Sequence, residues 1–283
     1  MVTPARVVSE YNALRDESLR IALRKIWREY NRPAVVWDFR RYFGSVSNIA
    51  STATYQTVHE AGERIIEVRA ANDIVRVVST SAEDTGELTV CGMQRDAAGD
   101  FVNVRETVTL NGQTPVTLEN AYCFVNEACY NRTSADELVG DVSIYTATGA
   151  TVNAGVVTPA TLVDVKMLGT ADIPQNFSKK AAHLFDKDTF GLITSVGGSV
   201  RNKQDANVDF ALIVQAKGGT RRALLNVSSK AGDASIENIT PGILIEPQSL
   251  VQVVCASSAA SVEAAAEFTV WEIIDPYSRG DYA

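Results

Sequence analysis

The sequence predicts a mainly β fold: a jelly-roll or β-sandwich body behind an N-terminal α-helical arm. Three observations carry this reading. Apolar residues recur at a period of 3.6 near the N-terminus and at a period of 2 from about residue 51 onward. Short stretches rich in Val, Thr, Ala and Ser are separated by turn signals such as Asn111-Gly112 and Gly218-Gly219. Strand and helix patterns do not alternate, which disfavours a parallel α/β sheet. At 283 residues and 46% hydrophobic, the chain can form one large β domain or two ordinary ones.

The helix is expected over residues 4–31. Pro4 suits a first turn, and Asn31-Arg32-Pro33 ends the pattern. Leu19, Leu23, Ile26, Trp27 and Tyr30 fall on one face, with Arg20, Arg24 and Arg28 in a row beside it. The apolar stripe has two uses open to it, packing on its own domain or packing on another subunit. Residues 33–50 follow as an arm carrying Trp37, Phe39 and Tyr42. These eleven residues form the candidate partner-docking set.

Strands are then expected at 63–69, 73–79 and 87–92. In the next, Val102, Val104, Val108 and Leu110 share a face. That strand runs into Asn111-Gly112, a strong hairpin signal because both residues tolerate positive φ, with 114–118 as the return strand. Further strands are expected at 141–146, 162–168, 190–196, 208–215, 222–228, 250–256 and 267–274. Gly197-Gly198, Gly218-Gly219, Ala231-Gly232-Asp233 and Pro241-Gly242 supply turns. The small-residue run 256–266 reads as a loop. A boundary near 146–161 gives four parts: an arm at 1–50, β domains at 51–155 and 156–275, and a polar tail at 276–283.

Charge is unevenly placed. Residues 1–44 carry nine Lys/Arg and five Asp/Glu, whereas the remainder carries 17 and 29. A basic arm on an acidic body suits assembly or an anionic partner, and it equally suits a solvated helix face. The acidic body disfavours nucleic-acid binding, in which phosphate contacts dominate affinity. No stretch approaches the roughly 18 apolar residues of a membrane span. No secretory leader pattern follows Met1-Val2-Thr3-Pro4, so synthesis in a cytosol is expected and Asn131, Asn176, Asn226 and Asn238 read as chance sequons.

Little in the sequence suggests chemistry. Cys91, Cys123, Cys129 and Cys255 lack metal-ligand spacing, and only His59 and His183 could join them. Isolated buried thiols are expected. Neither histidine stands in a nucleophile motif, and phosphate-cradling glycine loops are absent. No catalytic residue, metal or cofactor is therefore assigned, and the chain is expected not to be an enzyme. Arg279-Gly280-Asp281 is a three-residue match with no supporting context.

Two stretches resemble a recurring pattern. One runs from Val77-Val78-Ser79-Thr80-Ser81 through Glu83-Asp84-Thr85-Gly86 to Val90-Cys91-Gly92. The other is Glu106-Thr107-Val108-Thr109-Leu110-Asn111-Gly112-Gln113-Thr114-Pro115-Val116. Both are similar to virion structural proteins of tailed bacteriophages of the marine type, as is Pro241-Gly242-Ile243-Leu244-Ile245-Glu246-Pro247-Gln248-Ser249-Leu250. Those proteins commonly have Asp-Ile after the serine, where this chain has Leu250-Val251. The resemblance covers residues 75–274 and leaves the helical arm outside it. It implies a β-rich head, neck or tail component located in the virion. The implied partners are copies of itself, as a trimer or ring, and other virion proteins. A receptor- or glycan-binding spike module is the alternative, with a host surface as partner. Sparse aromatics clustered in the arm weigh against it.

Overall fold

The structure, a computed structural model, describes residues 17–30, 35–49, 55–61, 64–131, 137–169, 176–201, 206–230, 232–259 and 261–274. It is mainly β, with one α-helix, α1 (Glu17–Tyr30), among the described residues. The expected helical segment before Glu17 lies outside them, as do the polar tail and Arg279-Gly280-Asp281.

Two antiparallel sandwiches make up the body, and they are not consecutive in sequence. The terminal sandwich has one sheet ordered β1 (Val35–Ile49), β18 (Val262–Ile274), β13 (Thr189–Arg201) and β16 (Ala234–Ile245). Facing it is a sheet ordered β12 (Ala182–Leu184), β17 (Ser249–Ser257), β14 (Asn207–Ala216) and β15 (Arg222–Lys230), with β2 (Gln56–Thr57) also paired to β17. Val46 and Ile49 of β1, Ala264, Phe268 and Val270 of β18, and Phe210, Val253 and Cys255 opposite fill the core between them. This is the period-2 alternation of strands with one buried face.

The inserted sandwich lies between residues 64 and 169. One sheet is ordered β11 (Val163–Met167), β8 (Val142–Thr146), β3 (Ile74–Ser79) and β6 (Val116–Tyr122); the other is β5 (Phe101–Thr109), β4 (Glu87–Arg95) and β7 (Phe124–Asn131). A short hairpin, β9 (Thr151–Asn153) and β10 (Val156–Thr158), projects from it. Ile74, Val77, Leu88, Val90, Tyr122 and Ile144 form its core. The sandwiches meet through Ile66, Met93, Phe101 and Phe124 of the insert against Ala182, Leu184 and Leu250.

This arrangement corrects several expectations. Residues 35–49 are no detachable arm, because β1 pairs with β18 along its length. A boundary at 155/156 would part β8 from its partner β11. The sheets instead divide the chain at 59–64 and 169–176. Residues 65–69 form no strand; Ile66 is buried where the sandwiches meet. The run 256–266 is no loop beyond 261: Ala264, Ala265 and Ala266 are buried in the middle of a sheet, where small side chains admit both neighbouring strands.

Asn111-Gly112 does not close a hairpin. β5 pairs with β4, and β6 pairs with β3 in the opposite sheet. The turn instead carries the chain across the sandwich, and it is tied down from outside. Gly112, at φ +54°, donates its N–H to the Asp84 carbonyl (2.9 Å) and accepts from Ser79 N–H (3.0 Å). A Cβ there would stand 2.8 Å from the Ala82 backbone. The buried Asp84 carboxylate accepts from the Ser79 hydroxyl and from the N–H groups of Val139 and Gly140 (both 2.9 Å). The first two stretches that carry the phage resemblance thus form one hydrogen-bonded knot at the edge of the insert.

Gly197-Gly198 is likewise not a turn but the middle of β13. The Phe210 ring packs where a Gly198 side chain would stand, with Cδ2 2.4 Å from a Cβ placed there. Gly198→Ala is therefore expected to overpack the terminal core by about 1–3 kcal/mol, read as a lower urea midpoint, and a wild-type midpoint would refute the close approach. Pro241-Gly242 also falls inside a strand, β16, at the place where its register with β13 slips. Proline has no N–H to give the ladder, so it sits at the irregularity.

Candidate functional site

The outer face of the β1-β18-β13-β16 sheet carries α1, which brings most of the expected docking residues to one side of the terminal sandwich. The helix forms because Leu19, Ala22 and Ile26 recur at three- and four-residue spacing, with Glu17 in the first turn and Arg28 in the last. Lys25 and Glu29 add an exposed i,i+4 pair at 3.8 Å. Leu19, Ala22 and Ile26 are buried on Phe190, Leu192 and Ile273, with Leu23, Leu244 and Trp271 packed around them. Of the two uses open to the stripe, Leu19, Leu23 and Ile26 take the intrachain one.

Trp27 separates from that group and is 60% exposed; Ile21, six residues before it on a different part of the helix surface, is 45% exposed. Arg20, Arg24 and Arg28 are exposed on the same helix. Phe39 is 51% exposed and rests on Trp271 with ring centroids 4.5 Å apart. The backbones of Tyr30 and Trp37 lie in α1 and β1; their side chains lie outside the described residues.

Tyr42 points the other way. Alternation along β1 sends Phe39 outward and Arg40 and Tyr42 inward. Tyr42 is buried, stacks on Phe268 at 5.1 Å, and lies 4.3 Å from the His183 ring. Its hydroxyl donates to Glu272 Oε1 at 2.7 Å and lies 3.4 Å from His183 Nε2. This makes it a wall of an internal site, not a docking residue.

That site is a cavity of about 150 Å³ between the two sandwiches. Arg40, Tyr42, His183 and Glu272 line it from the terminal sandwich, and Cys91, Arg105 and Glu127 from the insert. Arg40 is committed to Asp38 at 2.9 Å, Glu272 at 3.6 Å and Glu127 at 3.7 Å. Burial raises the Glu272 carboxyl pKa, and Arg40 opposes that rise. Burial holds the His183 imidazole down at about 3, with Arg40 adding to the effect. The Cys91 thiol is pushed up to about 11 by burial and by Glu127, so it is no nucleophile at neutral pH.

A second buried polar cluster clasps the sandwiches together. Lys180 precedes β12 and is fully enclosed. Its Nζ donates to Asp164 Oδ2 of β11 (2.9 Å) and to the Val125 carbonyl of β7 (2.7 Å), and it lies 3.6 Å from the Phe124 ring centroid. Asp164 Oδ2 also accepts Val125 N–H at 3.0 Å.

The sequence reading missed His183 and Glu272 as members of one site. Glu272 had a legible signal, since it continues the inward face of Phe268 and Val270. His183 had none, because β12 is three residues long. The four cysteines are free; Cys123 and Cys255 are buried as expected, but Cys129 is exposed and Cys91 only half-buried. No group of His, Cys, Asp and Glu among the described residues could hold a metal ion, and no described helix is long and apolar enough to cross a membrane.

No protein-family model and no curated protein matches the chain. Among solved structures it is similar to that of the infectious bursal disease virus Gt strain, with 8% identity over 89% of this chain and 78% of that one at a TM-score of 0.24. The Gx strain of the same virus gives 10% identity, 90% and 78% coverage and a TM-score of 0.25. The VP2 subviral particle of infectious bursal disease virus gives 9%, 90% and 77%, with a TM-score of 0.22. At such scores the paths of the chains diverge too far for these likenesses to carry any argument.

Proposed function

We propose that this chain is a structural protein of a virus particle, of the tailed-phage type its sequence resembles. In this reading it assembles as a symmetric oligomer, a trimer or ring, and docks on other virion proteins. It is a building block and not an enzyme. The observation that supports this best is the division of labour on this face: the inner stripe of α1 is already satisfied within the chain, yet Trp27 and Ile21 stay exposed on the helix that carries the basic row, and Phe39 stays exposed on β1 of the sheet beneath it. Exposed large apolar side chains rimmed by charge are characteristic of interaction surfaces. The acidic remainder of a second copy is the complementary partner for Arg20, Arg24 and Arg28.

Light scattering of the full chain tests this. A trimer or larger ring is expected, and Trp27→Ala with Phe39→Ala is expected to shift it to a folded monomer, a loss of about 2–4 kcal/mol per interface. A wild-type chain that stays monomeric at high concentration would overturn the oligomer. A double variant that unfolds instead would place both aromatics in the chain's own stability.

A further inference from the structure

We propose that the junction of the two sandwiches is an acid-sensitive latch: protonation of His59 and His183 parts the sandwiches while each keeps its own core. This does not depend on the assembly reading.

Position is the first argument. Both histidines of the chain are buried, and both lie at this junction. His59 forms a β-bridge with Lys180, whose ammonium reaches across to Asp164 and Val125 of the insert. Ala61, bonded to the His59 ring, packs on Val78, Tyr145 and Val163 of the insert. His183 lines the cavity from the terminal side, opposite Asn126 and Glu127 of the insert. Each sandwich has its own core. What joins them is a smaller apolar cluster, the cavity and the Lys180 clasp. Parting them therefore costs less than unfolding either.

The surroundings of the rings are the second argument. His59 Nδ1 accepts the Ala61 N–H at 3.1 Å, so the neutral ring carries its proton on Nε2. A second proton has to displace that bond beside Lys180 and Arg64. Asp164 is already paired with Lys180, and Glu60 turns away to Ser45 and Ser47. His183 has Arg40 and Lys180 as cationic neighbours and Glu272 as a carboxylate at 3.7 Å. Glu272 already takes the Tyr42 hydroxyl and faces Arg40. Across the cavity Glu127 is paired with Arg40, Arg105 adds a further cation, and Asp186 accepts the Asp188 N–H. His183 Nδ1 has no hydrogen-bond partner, so a proton added there would be a stranded donor.

Neutral rings suit this junction and charged rings do not. Burial holds both at about 3 while the sandwiches are together, and the neighbouring cations add to the effect. In water each titrates near 6.5. Below pH 6.5 the parted state therefore binds more protons, and it gains about tenfold per pH unit from each histidine. Glu272, whose carboxyl is raised by burial, offsets part of this gain.

Two cysteines supply the test. Cys123 is buried in the apolar cluster at the junction, and Cys255 in the core of the terminal sandwich. The full chain is labelled with dipyridyl disulfide, which reacts with thiols in acid as well as at neutral pH. Mass spectrometry follows each site, and each rate is divided by that of the urea-unfolded chain at the same pH. From pH 7 to pH 4.5 the normalised Cys123 rate is expected to rise on the order of a thousandfold. It is expected to stay at least about tenfold above that of Cys255. His59→Asn with His183→Asn should remove most of the rise, whatever the rate at pH 7. Should that variant not fold, the two wild-type rates decide alone. Equal normalised rates at the two cysteines would mean that the histidines are uncovered only by unfolding. A Cys123 rate indifferent to pH would mean that they stay covered. Either result, or a double variant that keeps the full rise, overturns the latch.

Discussion

Lys180→Met is expected to destabilise the protein by about 3–5 kcal/mol, the largest loss anticipated from any single substitution considered. Methionine nearly matches the length of lysine, so little volume is lost. What is lost is the charge that compensates Asp164. Lys180 and Asp164 side chains are 2% and 1% exposed, and no water can take over. Asp164 would keep the Val125 N–H on Oδ2, while its Oδ1 already lacks a hydrogen bond. Asp164→Leu combined with Lys180→Met should recover part of the loss, because removing both partners leaves no orphan charge while the Val125 N–H and carbonyl lose their bonds to the pair. Urea unfolding measures both. A single-variant loss below about 1 kcal/mol would mean that the clasp is solvated, against the burial described.

Acidification from pH 7 to pH 4.5 is expected to cost a comparable amount, through the two histidines. Burial holds both at about 3, with Lys180 and Arg64 adding to the effect at His59, and Arg40 and Lys180 at His183. In the unfolded chain each titrates near 6.5. Between about 6.5 and 3 the unfolded state therefore binds more protons than the folded one, and stability falls as pH falls. The slope is about 1.4 kcal/mol per pH unit for each histidine, or about 5 kcal/mol for the pair by pH 4.5. Glu272 acts in the opposite sense: its raised carboxyl takes up a proton in the folded state first, which offsets part of the loss just above pH 4.5. Unfolding free energies at pH 7, 5.5 and 4.5 check this, and His183→Asn should roughly halve the slope whatever it does to absolute stability. A flat profile would mean that the histidines reach solvent.

The strands most legible in the sequence are those with one wet face. In β5 the even-numbered residues do turn inward, as the spacing of Val102, Val104 and Val108 indicates. The pattern concealed Glu106, a charged residue on that inner face. Its carboxylate satisfies the N–H groups of Glu119 and Asn120 and the Tyr122 hydroxyl. Glycine and alanine misled for a physical reason: a missing side chain permits a tight turn and close strand packing equally well, and Gly198 and Ala264–Ala266 serve the second purpose. Pairing was illegible for another reason. Asn111-Gly112 is a local hairpin signal, but its outcome was set by Asp84 and Ser79, some thirty residues away. Leu19, Leu23 and Ile26 of the expected helix stripe meet an apolar face, and Trp27 leaves it. Nothing local distinguishes a stripe that meets its own sheet from one that meets a neighbour.

The discontinuity of the terminal sandwich bears on biosynthesis. β1 ends at residue 49, and its partner β18 begins at residue 262. On a ribosome adding roughly 5–20 residues per second, the first strand waits on the order of ten seconds or more for the strand that covers its edge. The insert, whose strands all lie between residues 74 and 167, can complete its own pairing in that interval. The expected order of maturation is therefore from the inside of the sequence outward, with β1 held open as an unpaired edge until late. During that window the nascent chain is most exposed to pairing with the β1 of a neighbouring chain on the same message.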